Sequence, residues 1–147
     1  MSEGKLQGKV AIVTGSSRGI GSAIAQRLSD DGAAIVVNYA GSSDKAQEVV
    51  ASIEAKGGSA IALQADVSKT ADIERLFDQT IEKFGKVDIL VNNAGIILYK
   101  LITDVTEADF DKIFAINVKG TYFACQQAAK RMADGGRIIN FSSSTTA

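Results

Sequence analysis

The sequence predicts an α/β fold in which a doubly wound parallel β-sheet carries helices on both faces. Five short apolar segments rich in β-branched residues alternate with longer amphipathic segments, and a glycine follows most of the amphipathic ones. Strands that alternate with helices pair in parallel through right-handed crossovers. A length of 147 residues favours one domain, so residues 1–147 are predicted to form a single domain.

The predicted strands are too short and too rich in β-branched residues to be buried helices. The last of them is expected to be as buried as the others, because its apolar residues run together in the same way. The strands are predicted at residues 10–14, 33–39, 59–65, 87–92 and 137–142.

Apolar residues at spacings of three and four predict three helices between the first four strands, each with one apolar stripe facing the sheet. Glycines just beyond each stripe are typical of helix ends. The stripes are Ile20, Ile24 and Leu28; Ala46, Val49, Val50 and Ile53; and Ile73, Leu76, Phe77, Ile81 and Phe84.

Residues 106–133 are predicted to form two further helices with a break at residues 117–120. Thr106 precedes the first of them and is a suitable N-cap, with Asp109 adding negative charge in the first turn. Ser68 is predicted to cap the helix that follows the third strand.

Composition excludes several classes of function. The chain has 16 basic and 17 acidic residues, which are not gathered into blocks, so neither a nucleic acid nor a membrane is an expected partner. No segment resembles a secretory signal or a membrane span, and the only cysteine, Cys125, cannot form an internal disulfide, so the protein is expected in the cytoplasm. The absence of histidine excludes Ser-His and Cys-His hydrolases and His-based zinc sites, and no metal site is predicted.

The first predicted strand leads into TGSSRGIGSAIAQRL, where Gly15, Gly19 and Gly21 stand between a strand and a helix. Gly15 permits a tight turn, Gly19 lets the backbone approach a pyrophosphate, and Gly21 allows the helix to pack closely on the strand. Phosphates would then face backbone N–H groups at the start of a helix. This context predicts a dinucleotide-binding loop; the alternative is a glycine-rich turn without a ligand.

Motifs along nearly the whole chain resemble those of the short-chain dehydrogenase/reductase family. They are T-G-x-x-x-G-x-G at residues 14–21, DV at 66–67, NNAG at 92–95, INVKG at 116–120 and GGRIINFSS at 135–143. Within the family, the chain is similar to the NADP-dependent 3-oxoacyl-carrier-protein reductases. The resemblance implies a Rossmann-like dinucleotide-binding domain with strand order 3-2-1-4-5, incomplete relative to the full family fold.

The resemblance also implies which residues bind the cofactor. Asp66 is expected to contact the adenine amino group, Val67 to pack on the ring, and residues 93–95 to line the ribose. Asn92 is expected to tie the sheet together rather than to touch a ligand. The complete predicted set is Gly15, Ser17, Arg18, Gly19, Ile20, Gly21, Asn38, Tyr39, Asp66, Val67, Asn93, Ala94 and Gly95.

Charge at the end of the second strand predicts NADP rather than NAD as the cofactor. An NAD site needs a carboxylate there for the ribose hydroxyls, whereas a 2′-phosphate needs a cation. Tyr39 occupies the usual acidic position, and no carboxylate follows until Asp44. Arg18 can bind the extra phosphate through charge-assisted hydrogen bonds. Lys45 is either a second cation or a solvated residue at a helix start.

The family transfers a hydride between the nicotinamide and a small carbonyl or alcohol substrate. The resemblance implies that Ser143 hydrogen-bonds the substrate oxygen, with Ser142 the nearer alternative and Ser144 a weaker one. Asn117 would interrupt its helix and hold a water in a proton relay.

A Tyr-x-x-x-Lys pair completes such sites, and the chain has none. The residues four positions after its three tyrosines are Ser43, Thr103 and Gln126. We therefore expect these residues to bind dinucleotide without turnover, as the N-terminal portion of a longer reductase.

Two other interpretations remain open from the sequence. One is a catalytically inactive dinucleotide-binding or scaffolding protein. The other is a sugar-nucleotide epimerase or dehydratase, although Gly15, Gly19 and Gly21 do not fit its usual G-x-x-G-x-x-G spacing. The apolar residues of the segment at 106–133, which include Phe110, Phe114, Tyr122 and Phe123, favour a homo-oligomer, because the family commonly dimerises there.

Overall fold

A computed structural model describes residues 4–144 and contains one parallel β-sheet. Its strands are β1 (Val10–Val13), β2 (Ala34–Tyr39), β3 (Ala60–Gln64), β4 (Ile89–Asn92) and β5 (Arg137–Asn140). They lie in the order β3-β2-β1-β4-β5, which confirms the predicted order. Residues 1–3 and 145–147 of the predicted domain lie outside the described residues.

Helices connect the strands in the predicted alternation. They are α1 (Gly19–Asp30), α2 (Ser43–Ala55), α3 (Thr70–Phe84), α4 (Glu107–Phe114) and α5 (Thr121–Arg131), with a short 3₁₀ turn at Ile102–Asp104. Among residues 4–144, none of these helices has the length and apolar character needed to cross a bilayer.

The sheet separates two apolar cores. Side chains from one face, such as Val13 and Ile35, pack with Ala25 of α1 and Ile53 of α2. Those of the other face, such as Ile12 and Leu90, pack with α3 and α5, where Phe77 is fully buried. Alternate residues of β1 therefore point into different cores, as the period of a strand requires.

Two expectations about burial are wrong. Ile20, the first member of the α1 stripe, is 67% exposed, because the buried face of that helix is made of Gly21 and Ala25. Strand β5 is exposed throughout, with Ile139 47% exposed. It pairs with β4 on one side, and in the part of the chain described no strand pairs with its other side.

The predicted break at residues 117–120 is a π-helical turn, Ala115–Gly120, which joins α4 directly to α5. Thr106 is the N-cap of α4, as predicted, and forms a capping box with Asp109. Ser68 is not a helix cap, because α3 begins at Thr70 and the Ser68 hydroxyl donates to Asp66 instead.

Candidate functional site: a cleft at the carboxyl ends of the strands

A cleft of about 250 Å³ lies where the ends of β1, β2, β3 and β4 meet. This is the edge at which open α/β sheets bind ligands. The residues lining it are Gly15, Ser17, Arg18, Asn38, Tyr39, Ala40, Gly41, Ser42, Ala65, Asp66, Val67, Asn93, Ala94, Gly95, Ile96 and Ile116.

Asn38, at the end of β2, supports the turn after β1 through hydrogen bonds. Asn38 Oδ1 accepts the Gly15 N–H at 3.0 Å. Its Nδ2 donates to the carbonyls of Leu63 and Ala65, both at 3.2 Å. One buried amide thus ties together the ends of β1, β2 and β3, and this use of the side chain makes Asn38 a support of the loop.

The turn after β4 is fixed against β1 by Thr14, which is buried. Thr14 Oγ1 accepts the N–H groups of Asn93 and Ala94, each at 3.0 Å. Asn93 Nδ2 donates in return to the carbonyls of Thr14 and Gly15, at 3.0 and 3.1 Å. The glycine loop and the segment at residues 92–95 are therefore one rigid unit.

Asp66 begins a braced turn after β3. Its Oδ1 accepts the Ser68 N–H at 2.9 Å and the Ser68 hydroxyl at 2.6 Å, and among residues 4–144 no hydrogen bond reaches its Oδ2. Asp72 Oδ2 accepts the Asp66 N–H at 2.9 Å, and Asp72 Oδ1 accepts from Arg75 at 2.9 Å. The bond from Asp66 and then that from Arg75 hold the pKa of the Asp72 carboxyl below its usual range. Asp66 thus presents one carboxylate oxygen from a fixed backbone.

Helix α1 begins beside the cleft in a form suited to an anion. It has no side-chain cap and no acidic residue in its first turn. The first N–H groups of a helix lack intrahelical partners, and the helix dipole favours negative charge there. The site fits a dinucleotide, because it combines an open glycine turn, a helix start without a cap and a carboxylate held by hydrogen bonds. The pyrophosphate would lie at the start of α1 and the adenine at Asp66.

Glycine 21 is needed for close packing at this turn. A Cβ added there would lie 2.5 Å from Asn93 Nδ2 and 2.6 Å from the Gly15 carbonyl oxygen. Gly21 is consequently buried beneath the cleft and is not part of its lining, and Gly19 and Ile20 also lie outside the lining.

The two predicted catalytic residues do not line the cleft. Asn117 lies in the π-helical turn, where its Oδ1 accepts the Ile96 N–H and its Nδ2 donates to the Ile96 carbonyl, both at 2.8 Å. Ser143 is exposed in the segment after β5. Because Asn92 pairs in parallel with Asn140, both Gly95 and Ser143 follow their strands at the same edge of the sheet.

Asn92 ties the sheet together, as the sequence led us to expect. Its Nδ2 donates to Asn140 Oδ1 at 2.8 Å and to Cys125 Sγ at 3.4 Å. The side chain thereby joins β4, β5 and α5.

Some lining residues are not among those predicted from the sequence, namely Ala40, Gly41, Ser42, Ala65, Ile96 and Ile116. Ala40, Ala65 and Ile96 directly follow or precede a predicted cofactor-binding residue in the chain, and Gly41 and Ser42 continue the segment after Ala40. Predicted segments longer by one to three residues would have included all five. Ile116 has no such neighbour. Ile116 reaches the cleft because the π-helical turn that contains it packs against the cleft.

Known proteins resemble this chain over most of its length. The profile of the short chain dehydrogenase family matches residues 9–147. Elsinochrome reductase 1 of Elsinoe fawcettii is 50% identical over 145 residues, which are 99% of this chain and 54% of that protein.

Two solved structures share the fold closely. A short chain dehydrogenase from Burkholderia cenocepacia in complex with NADP has a TM-score of 0.90 and 48% identity, and the match covers 92% of this chain and 56% of that one. The landomycin C-6 ketoreductase LanV with bound NADP and rabelomycin has a TM-score of 0.90 and 45% identity, over 95% of this chain and 60% of that one. The chain thus spans little more than half the length of the proteins that it matches.

Proposed function

This chain belongs to the short-chain dehydrogenase family, and we propose that it binds NADP(H) in the cleft between β1, β2, β3 and β4 as part of a reductase. The bound cofactor would donate a hydride to a carbonyl carbon, or accept one from an alcohol carbon. The observation that carries the proposal is the cleft itself, because each of the four predicted binding segments contributes to its lining. The contributing residues are Gly15, Ser17, Arg18, Asn38, Tyr39, Asp66, Val67, Asn93, Ala94 and Gly95.

Each segment has a separate task in this proposal. The start of α1 binds the pyrophosphate through backbone N–H groups. Asp66 accepts a hydrogen bond from the adenine amino group through Oδ2, and Val67 packs on the ring. Asn93 and Ala94, held by Thr14, position the ribose.

Charge around the cleft supports NADP over NAD. The end of β2 contributes Tyr39, Ala40, Gly41 and Ser42 to the lining, none of which is acidic. Arg18 lines the same cleft, whereas Asp44 and Lys45 line a neighbouring hollow. A guanidinium in the glycine loop, with no carboxylate at the end of β2, favours a 2′-phosphate.

Ser143 is proposed to donate a hydrogen bond to the substrate oxygen, where charge develops during hydride transfer. Asn117 is proposed to hold a water of the proton relay. The relatives are about twice as long as this chain, so a complete proton relay is proposed for the whole protein. Relatives are named for different substrates, as in elsinochrome reductase 1 and landomycin C-6 ketoreductase. The proposed substrate is therefore given only as a class, a small-molecule carbonyl or alcohol compound.

Two further features complete the proposal. The exposed apolar residues of α4, the π-helical turn and α5 are proposed to contact a second copy of the chain. The single thiol, Cys125, is consistent with a reducing compartment such as the cytoplasm.

Titration with NADPH and NADH, followed by nicotinamide fluorescence, tests the cofactor assignment. Removing the guanidinium in Arg18→Ala is expected to weaken NADPH binding by about 10- to 100-fold, since hydrogen bonds between charged groups contribute about 1.5–3 kcal/mol. NADH binding should change little. Arg27→Ala is the matched control, because Arg27 lies further along α1 and pairs with Asp31.

Tighter binding of NADH than of NADPH by the unaltered chain would contradict the NADP assignment. An equal loss of affinity for both cofactors in Arg18→Ala would mean that Arg18 does not recognise the 2′-phosphate. If the whole protein binds NADPH but does not oxidise it in the presence of any aldehyde or ketone tested, a catalytically inactive binding protein becomes the better description.

A further inference from the structure

We propose that Gly120 is a positioning residue for the adenine half of the cleft, and that the π-helical turn Ala115–Gly120 holds the two walls of the cleft at a fixed separation. The inference rests on the proposed function, because it states what keeps the cofactor-binding segments in place. The turn makes two contacts, one with the segment after β3 and one with the segment after β4.

Gly120 makes the first contact. It is buried, and a Cβ added there would lie 2.8 Å from the Val67 carbonyl oxygen and 3.1 Å from Val67 Cγ2. Its own backbone is right-handed helical, with φ −58° and ψ −49°, so the conformation does not require glycine. Glycine costs a helix about 1 kcal/mol relative to alanine. The reason for glycine at this position is therefore the close approach to Val67.

A larger residue at position 120 would displace Val67, and Val67 cannot move without moving Asp66. The turn that contains both is closed by the Ser68 N–H and hydroxyl on Asp66 Oδ1. The Lys69 N–H also donates to the Asp66 carbonyl, at 2.9 Å. Because these bonds make the turn a single body, pressure on the Val67 carbonyl displaces the Asp66 carboxylate with it.

Asn117 makes the second contact, three residues earlier in the same turn. Its amide donates to and accepts from the Ile96 backbone at 2.8 Å on both bonds. Val67 and Ile96 both line the cleft, in the segments that follow β3 and β4, the two outermost of the four strands that end at it. One helical turn therefore contacts the segments on both sides of the cleft. Its π-helical register places Asn117 against the segment after β4 and Gly120 against the segment after β3.

Two fragments of the cofactor separate these contacts. ADP reports on the adenine half and nicotinamide mononucleotide on the other half, and NMR shift titration of the full protein measures both. Gly120→Ala is expected to weaken ADP binding by about tenfold, the effect of losing roughly one well-placed hydrogen bond, and to change mononucleotide binding by less than about twofold. Asn117→Ala should show the reverse pattern.

Ala129→Ser is the control for Gly120→Ala, since it adds one heavy atom at an exposed site of α5. It should leave the affinity for both fragments unchanged. A purely structural role for Gly120 predicts an equal loss for both fragments, and that result overturns the proposal. Unchanged ADP affinity in Gly120→Ala also overturns it. Failure of the unaltered protein to bind NADPH is a different result, because it overturns the proposed function itself.

Hydrogen exchange in the unaltered protein gives a second test if Gly120→Ala does not fold. Coupling between two sites is reciprocal, so ADP that is bound against Val67 must stabilise the turn that contacts Val67. Slower amide exchange at residues 115–121 on adding ADP supports the proposal. Unchanged exchange there, with slower exchange at Asp66 and Val67, contradicts it.

Discussion

Asn38 shows how one buried side chain can support a binding loop through hydrogen bonds within the protein. It is 2% exposed, and its amide is used on both sides, toward Gly15 and toward the carbonyls of Leu63 and Ala65. Replacing such a buried amide is costly, because its former partners are left without a hydrogen bond at a position that water cannot reach.

Asn38→Asp should destabilise the protein although the two side chains have nearly the same shape. The carboxylate still accepts from the Gly15 N–H, but it repels the carbonyls of Leu63 and Ala65 to which the amide donates. An unsatisfied buried polar group costs about 1–3 kcal/mol, and a charged one more. Urea unfolding of both proteins should show a loss of at least that size.

Gln47→Glu provides the matched control, since it introduces the same charge at an exposed site of α2. Its free energy of unfolding should differ little from that of the unaltered protein. If Asn38→Asp were equally stable, the hydrogen bonds assigned to the amide would be wrong.

Residue identity at the site could be predicted only where a residue type has a restricted use. Glycines in a strand-to-helix turn located the loop, and Asp66 followed from the family motif. Asn38 was predicted to contact the cofactor, but the sequence could not indicate that its amide faces Gly15, because that contact joins residues 23 positions apart.

The start of α4 is stabilised by a charged cap. Asp109 Oδ2 accepts from Lys100 Nζ at 2.7 Å and from the Thr106 N–H at 3.0 Å. The bond from Lys100 first, and then the bonds from Thr106, lower the pKa of Asp109 from 3.8 to about 2. Since the folded pKa lies below the ordinary value, the charged form stabilises the cap above pH 3.8, and the contribution is lost as the pH falls toward 2.

NMR titration of the side-chain carboxyl carbons should find the pKa of Asp109 at about 2. In Lys100→Ala the pKa should rise toward 3.8, and Thr106→Ala should raise it by less. Lys112→Ala is the control, because Lys112 lies on the same helix without a bond to Asp109. An Asp109 pKa unaffected by loss of Lys100 would contradict the ion pair.

Elements were predictable where their own residues decide the outcome. Strand β1 and the first four residues of β2 are continuous apolar runs rich in β-branched residues. Thr106 forms a local cap with Asp109. Burial of β5 depends instead on what packs against it, which its apolar sequence does not reveal. Likewise a break at residues 117–120 was predictable, but its contacts with Val67 and Ile96 were not, because those residues are distant in sequence.

The molecule as a whole has a covered and an uncovered apolar surface. Both faces of the central strands are closed by helices, and the cores there are continuous. Helix α4, the π-helical turn and α5 together carry exposed apolar residues at spacings of four. They are Phe110, Phe114, Val118 and Tyr122, which are 53%, 47%, 53% and 64% exposed. The ring centroids of Phe110 and Phe114 lie 4.3 Å apart in a stacked arrangement, so the two rings form one continuous apolar patch.

Strand β5 is the rival surface for association, because it is an unpaired edge in the part of the chain described and its Ile139 is 47% exposed. Equal exposure of Phe114 and Ile139 makes Phe114→Lys and Ile139→Lys a matched pair. If a second copy covers the helical surface, sedimentation at increasing concentration should show association of the unaltered protein and of Ile139→Lys, and a monomer for Phe114→Lys. A charge at the centre of a closely packed apolar interface costs several kcal/mol, enough to dissociate a dimer at micromolar concentration. The opposite pattern, with only Ile139→Lys monomeric, would place the contact at the sheet edge and refute the helical interface.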